Sequence, residues 1–442
     1  MIPLAMTSNC VGQLPTSVAG WLELLEARSG EHRIELGLAR VAEVWQRMWG
    51  ERPFPHPVVT VAGTNGKGST CAFLEAIYHA AGYRVGCYTS PHLCSYQERI
   101  RLGQTPIADE ALVAAFAAVE QVRGAIPLTY FEHGTLAALW CFARAPLDLV
   151  ILEVGLGGRL DAVNLIDPDV AIITTIDLDH QTYLGANREA IGREKAGIFR
   201  SGRPAVIADP DPPASVIATA EALAAPLWRL GHEFGFDQQG QQWRWWAKGI
   251  GQRVGLPAPA LRGVGQWHNA SAALMAIALL ADRLPVAQQA VREGLLTVTL
   301  PGRFQVLPGS PLIIVDVAHN PQAAAALAEN LQAMAMPTPI DAIFGCYRDK
   351  DGAGIVAPLA PLIRSWWLVD TPGPRGQSGE VLLPLVRALV GKQPVTAVGS
   401  VSTALDRLTK GAARDDRIVL FGSFSLVGEA LQWREAQLRT NR

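Results

Sequence analysis

Residues 58–70, Val-Val-Thr-Val-Ala-Gly-Thr-Asn-Gly-Lys-Gly-Ser-Thr, restrict the possible folds more than any other stretch of the chain. Val58, Val59, Thr60 and Val61 form a β-branched run of the kind a parallel sheet buries on both faces, and a helical pattern from Cys71 to Ala81 follows the glycine turn. Strand, glycine turn and helix make a phosphate cradle. Gly63, Gly66 and Gly68 let the backbone aim its N–H groups inward, the helix N-terminus adds positive partial charge, and Lys67 supplies a full one. The usual pattern has a glycine six residues before the lysine; Val61 stands there, so this is a shorter Gly-x-x-Gly-Lys form. A nucleoside triphosphate is the expected occupant.

A chain of 442 residues is long enough for two or three domains. Its 49% hydrophobic and 18% charged content describes globular structure, and a net charge of −2 offers no general surface for nucleic acid or anionic lipid. The cysteines at 10, 71, 87, 94, 141 and 346 form no Cys-x-x-Cys pair and read as reduced thiols. With no signal-peptide pattern and no apolar run long enough to span a bilayer, the expected setting is cytoplasmic.

Helical spacing of apolar residues between Val18 and Met48 predicts two helices, broken by the polar segment 29–33 and stopped by the prolines of 52–57. Beyond the phosphate loop the pattern alternates. Strands are expected at 84–89, 147–154, 170–176 and 205–208, and helices at 109–122, from Thr129 to Phe142, and at 214–225. Glu153 closes the second of these strands, where an NTPase places an acidic magnesium ligand; Ser90 follows the first, and Asp177, Asp179 and His180 follow the third. His180 alone reads more often as a hydrogen-bonded loop residue than as a ligand, and its place at a strand end brings the two readings level. Arg193, Glu194 and Lys195 sit on a helix whose spacing suggests only a solvated charged face.

Residues 238–246, with Trp243, Trp245 and Trp246, read as a hairpin whose aromatics pack sheet on sheet, and an apolar helix is expected from Asn269 to Leu284. The pattern changes at Leu300-Pro301-Gly302-Arg303, which places a boundary between an N-terminal ATP-binding domain, 1–299, and a C-terminal domain, 300–442. The second half carries strands at 312–317, 341–346, 365–370 and 417–421, an alanine-rich helix to Ala335 and another near 380–391, with Gly422 and Ser423 poised at the end of the last strand. The fold class is therefore α/β: a mostly parallel P-loop domain followed by a smaller Rossmann-like one.

Several strings are longer and more specific. They are Gly-Thr-Asn-Gly-Lys-Gly-Ser at 63–69, Thr-Ser-Pro-His-Leu at 89–93, Leu-Thr-Tyr-Phe-Glu at 128–132, Leu-Glu-Val-Gly-Leu-Gly-Gly-Arg-Leu-Asp at 152–161, Leu-Asp-His at 178–180, Arg-Glu-Lys-Ala-Gly-Ile-Phe at 193–199, Pro-Gly-Arg-Phe at 301–304 and Asp-Val-Ala-His-Asn-Pro at 316–321. Together, in this order and across both halves, they resemble the folylpolyglutamate synthases, most closely the bifunctional bacterial dihydrofolate synthase form, which are relatives of the Mur ligases. Val163 and Asp177 depart from that pattern, where Thr and Gly are commoner.

The resemblance implies roles for particular residues. Thr64, Asn65, Gly66, Lys67, Gly68 and Ser69, with Asn269, Arg303 and Asp316, would hold ATP; Ser90, Glu153 and His180 would bind magnesium, and Lys195, as a carbamate, a second magnesium. A pterin or folate would be held by Ile34, Glu35 and Leu36, by Thr129, Tyr130, Phe131 and Glu132, and by Leu160, Asp161 and Ala162. The implied substrates are dihydropteroate, tetrahydrofolate, L-glutamate and ATP, with the chain working as a monomer. ATP would phosphorylate a carboxylate and the glutamate amine would attack the acyl phosphate, with Lys67, His319 and Lys195 as catalytic residues. A Mur-type ligase acting on a cell-wall precursor, a monofunctional polyglutamate synthase and a regulator without chemistry are the alternatives.

Overall fold

The computed structural model describes residues 14–29, 34–240, 242–334, 340–411, 413 and 415–440. Cys10, the polar break at 30–33 and Ala335, the expected end of the alanine-rich helix, lie outside them. The first sheet has eight strands: β1 (Val58–Ala62), β2 (Val85–Tyr88), β3 (Ile100–Leu102), β4 (Thr105–Pro106), β5 (Leu149–Glu153), β6 (Val170–Ile173), β7 (Ala205–Ile207) and β8 (Leu227–Arg229). Their order is β4-β3-β2-β5-β1-β6-β7-β8, parallel except where β3 and β4 turn back at one edge. Strand β1 lies near the middle, which explains its unbroken β-branched run. Val58 and Ala62 enter one core layer and Val59 and Val61 the other, and each large side chain buried this way contributes roughly 1.5–3 kcal/mol. In register, Val61 pairs with both Glu153 and Ile172, so the ends of β5 and β6 flank the phosphate loop.

Helices Val18–Ser29, Ala39–Trp49, Asp109–Arg123, Tyr130–Arg144 and Arg188–Ala196 cover one face. The other is covered by Lys67–Ala80, Gly265–Leu279 and Gln288–Thr297, together with a small antiparallel sheet of β9 (Phe234–Gln239), β10 (Gln242–Ala247) and β11 (Gly251–Pro257). The expected tryptophan hairpin thus gains a third strand, and its aromatics pack on a helix instead of a second sheet. Trp245 Nε1 donates to the Ser271 carbonyl at 3.2 Å, and Trp243 meets the Trp267 ring edge-on at 5.6 Å. That helix begins four residues before Asn269 and ends at Leu279, not Leu284.

The third sheet runs β12 (Gln305–Leu307), β13 (Leu312–Val315), β17 (Arg417–Phe421), β14 (Ile340–Phe344), β15 (Ile363–Val369), β16 (Val395–Gly399) in space, parallel apart from β12. Helices Pro321–Ala333 and Gly379–Val390 cover one side; Val401–Gly411 and Phe424–Thr440 cover the other. The last two, with β8, β12 and β16, are elements the sequence pattern did not announce. No helix among the described residues is long and apolar enough to cross a membrane.

Candidate active site

The phosphate loop is shaped by two approaches that only glycine permits. Gly63 has φ +151°, and a Cβ there would come within 1.7 Å of Thr174 Oγ1; Gly66 has φ +89°, and its Cβ would fall 2.4 Å from Asn269 Oδ1. Asn269 therefore lies against the loop, tethered by a 3.1 Å bond from its amide to Gln266 Oε1. Lys67 opens the helix Lys67–Ala80, and its ammonium donates to the carbonyls of Gly63 and Thr64, both at 3.1 Å. Thr64 is fastened to the end of β6: its N–H donates to Thr175, and its hydroxyl pairs with the backbone of Asp177. The Asp177 carboxylate accepts from the N–H of Leu178.

Glu153 is buried beside this loop, and one of its oxygens accepts the Ser90 N–H at 3.0 Å. Burial raises its carboxyl, against the opposing pull of Lys67, the Ser90 amide and Arg303. The helix Arg188–Ala196 turns Lys195 inward, not to solvent: it is buried, and its amine donates to Gly63 O at 2.7 Å. Burial and the nearby Lys67 push its ammonium down to about 7. His180 follows β6 with burial and the charge of Lys350 lowering it to about 4, so it is a neutral imidazole at neutral pH. Among the described residues no three His, Cys, Asp or Glu side chains gather as a ready-made metal cage. A cation here would draw on Glu153, the Ser90 hydroxyl and phosphate oxygens, the hard donors magnesium ordinarily takes, with the His180 imidazole as a nitrogen donor beside them.

The C-terminal half meets this cleft through the ends of β12, β13 and β14. Arg303 is half-buried with its guanidinium over the Phe424 ring at 5.1 Å, and desolvation lowers it despite the charges of Asp316 and Glu153. Asp316 accepts from the N–H groups of Phe304 and Ala318, both at 2.7 Å. His319 places Nδ1 2.9 Å from the Val317 carbonyl and Nε2 3.6 Å from Asp179 Oδ2. Asn65 points across the cleft: its side-chain amide pairs reciprocally with Asn320 at 3.1 Å and donates to Gln322 at 2.6 Å, while Asn320 also caps the helix Pro321–Ala333. Burial alone would raise Asp179, but the facing His319 and the charges of Lys350 and His180 hold it below the usual carboxylate range. Ser423 is buried against Ser425 rather than lying open at the strand end.

The three segments expected to hold a pterin also come together. Thr129 and Glu132 form a reciprocal cap on the helix Tyr130–Arg144. Arg40 then joins Glu132 to the 34–36 segment, donating to Glu132 at 2.8 Å, to the Glu35 side chain at 2.6 Å and to the Glu35 carbonyl at 2.8 Å. Gly37 N–H reaches the Leu160 carbonyl, and Asp161 accepts from the N–H groups of Leu156 and Val163. Burial raises the Asp161 carboxyl to about 6 against those bonds. Tyr130 meets Tyr96 edge-on and Phe131 packs by Tyr88; Ala162 is buried, and Ile34 is exposed. Arg40, Gln322 and Lys350 are site neighbours that sequence reasoning missed; the sequence places Asp179 and Asn320 at strand ends, but without these partners. The Asp-Lys-Asp run at 349–351 after a strand could have flagged Lys350; Arg40, on a helix surface, carried no such signal.

Comparison with known proteins identifies the family. The Mur ligase middle domain matches residues 61–279 and the Mur ligase glutamate ligase domain matches 302–424. The dihydrofolate synthase/folylpolyglutamate synthase of Escherichia coli K12 is 43% identical over 425 residues, 96% of this chain and 97% of that protein. This chain belongs to the dihydrofolate synthase/folylpolyglutamate synthase family of Mur ligases. Its fold follows that of the family: the E. coli FolC structure in complex with DHPP and ADP superposes with a TM-score of 0.89 at 42% identity, covering 96% of this chain and 99% of that one. The bifunctional Yersinia pestis enzyme complexed with AMPPNP and a Mn ion gives 0.86 at 43% identity, covering 96% and 100%. As a member of this family the chain is an ATP-dependent ligase.

Proposed function

We propose that the chain is a bifunctional folate–glutamate ligase that uses ATP to add L-glutamate to dihydropteroate, forming dihydrofolate, and to reduced folates, forming polyglutamates. The observation that carries this reading is the near-full-length likeness to bifunctional enzymes, 43% identity across 96% of the chain, together with Lys67, Glu153, Arg303 and His319 converging on one cleft. The work divides between residues 1–299, which take nucleotide and pterin, and 300–442, which bring the glutamate side of the reaction.

In the proposed reaction the acceptor carboxylate takes the terminal phosphoryl group of ATP, and the glutamate amine displaces phosphate from the resulting acyl phosphate, leaving an amide and ADP. Lys67, turned into its own loop, and Arg303, half-buried opposite, supply fixed positive charge to the transferring phosphoryl. With Nδ1–H given to the Val317 carbonyl, His319 presents Nε2 to accept the amine proton, and Asp179 stands ready to stabilise the imidazolium. Asp161 and Glu132 shape the pterin end.

The oxygen donors Ser90 and Glu153 at the strand ends, with the His180 nitrogen beside them, suit a small divalent cation. Ser90, Glu153 and His180 would hold one magnesium and Lys195, as a carbamate, a second; magnesium would add charge neutralisation at the phosphates. The proposed partners are the small substrates alone, without nucleic acid or membrane, and the working form is a cytoplasmic monomer. The test is phosphate release from ATP with magnesium and glutamate, with 7,8-dihydropteroate, tetrahydrofolate or no acceptor, and product masses read in parallel. Glutamate addition to both acceptors is expected. Addition to tetrahydrofolate alone would leave a monofunctional polyglutamate synthase, and addition to neither would overturn the assignment.

A further inference from the structure

Asp179 is a meeting point between the two halves of the molecule. It belongs to the loop after β6, and its carboxylate is 11% exposed. From the other half it is met by Lys350 Nζ at 2.6 Å, Asn320 Nδ2 at 3.5 Å and His319 Nε2 at 3.6 Å. Lys350 lies in the loop after β14 and is only 8% exposed, although it is flanked by two acids of its own. Neither neighbour serves it in these contacts. Asp349 pairs with Arg375 at 3.2 Å, and Asp351 caps the helix Gly352–Val356 through the Gly354 N–H. Lys350 is therefore the member of the triplet that reaches across the cleft, and it spends a nearly buried charge on one distant carboxylate.

The consequence reaches the chemistry through Asp179. The same carboxylate faces His319, and the loop that carries it is bonded through Thr175 and Asp177 to Thr64 of the phosphate loop. We propose that Lys350 is a positioning residue: its ion pair with Asp179 locks the two strand-end loops together and so fixes His319 opposite the phosphate loop. This rests on the ligase reading above. Positioning of this kind is worth much in rate, because a reacting group misplaced by about 1 Å can cost about 100-fold.

The test compares Lys350→Met with the exchanged pair Asp179→Lys/Lys350→Asp. Kinetics are read with ATP, glutamate and each acceptor, and small-angle scattering is taken on the ligand-free proteins. For Lys350→Met we expect kcat to fall about 30-fold or more, KM for ATP to stay within about threefold, and the radius of gyration to increase as the halves part. The exchanged pair is expected to recover the wild-type radius, while its kcat stays low because the carboxylate facing His319 has been replaced by an ammonium. Lys350→Met with kcat within about threefold of wild type would overturn the latch, as would an unchanged kcat with a raised KM for ATP, which marks a direct nucleotide contact. If the exchanged pair fails to fold, Lys350→Met decides alone. Should the wild-type protein add glutamate to neither acceptor, the ligase reading fails, and the scattering comparison still decides the latch.

Discussion

Replacing Gly66 by Ala separates the two demands placed on the phosphate loop. At φ +89° an L-residue is strained, by about 1–2 kcal/mol. The added Cβ would also stand 2.4 Å from Asn269 Oδ1 and must push that side chain away, breaking its 3.1 Å bond to Gln266, worth about 1 kcal/mol. The expected loss is about 2–3 kcal/mol, a fall in Tm of about 3–5 °C. Removing the obstacle separates the terms: in Gly66→Ala/Asn269→Ala the clash is gone and the strain remains. The double variant should therefore be more stable than the sum of the singles by about 1 kcal/mol. Activity should not follow, because the loop N–H groups stay displaced; kcat/KM for ATP is expected to drop about 100-fold or more in both. Urea unfolding of the four proteins, with ATP kinetics, measures the cycle. Additive stabilities, or a Gly66→Ala protein as stable as wild type, would refute the close approach.

Lys67→Ala should cost about 1000-fold in ATP-dependent ligation with little change in Tm, since Lys67 bonds only carbonyls of its own loop in this structure; retained turnover would sink the phosphate-loop assignment. Arg40→Met should release Glu132 and the 34–36 segment, raising KM for the pterin acceptor about tenfold while KM for ATP holds, and equal changes in both would place Arg40 outside acceptor binding. His133 is buried with Nε2 on the Phe116 carbonyl, and burial pushes it down to about 4. The unfolded chain therefore binds its proton first as pH falls through 6.5, and stability drops towards pH 4. Between pH 7.5 and 5 wild type should lose about 2 kcal/mol relative to His133→Gln in urea unfolding, and parallel pH profiles would contradict this.

Much of the fold was legible because both halves repeat one pattern, a buried β-branched strand followed by an amphipathic helix. The legible site residues stand directly after such strands: Gly63 after β1, Ser90 after β2, Glu153 closing β5, Asp316 after β13. What escaped was set by tertiary contact. The inward turn of Lys195 depends on which face of a polar helix meets the phosphate loop, and no spacing rule records that. Asn65 reads as a nucleotide ligand in its own loop, yet it is paired with Asn320, 255 residues away. The edge strand β12 is short and both β12 and β16 are partly exposed, so their composition carries little of the apolar signal that marked β1 and β5.

The reciprocal amide pair between Asn65 and Asn320 has a bearing on thermodynamic economy. An activated carboxylate is as open to water as to an amine, so a ligase that fires before its halves meet hydrolyses ATP for nothing. Because Asn65 belongs to the phosphate loop and Asn320 follows His319 directly, their pairing would, in the proposed reaction, tie nucleotide alignment to arrival of the amine side. The ratio of phosphate released to glutamate incorporated then becomes a measure of how faithfully that contact forms, and a weakened pair would reveal itself as futile turnover before it slowed the enzyme.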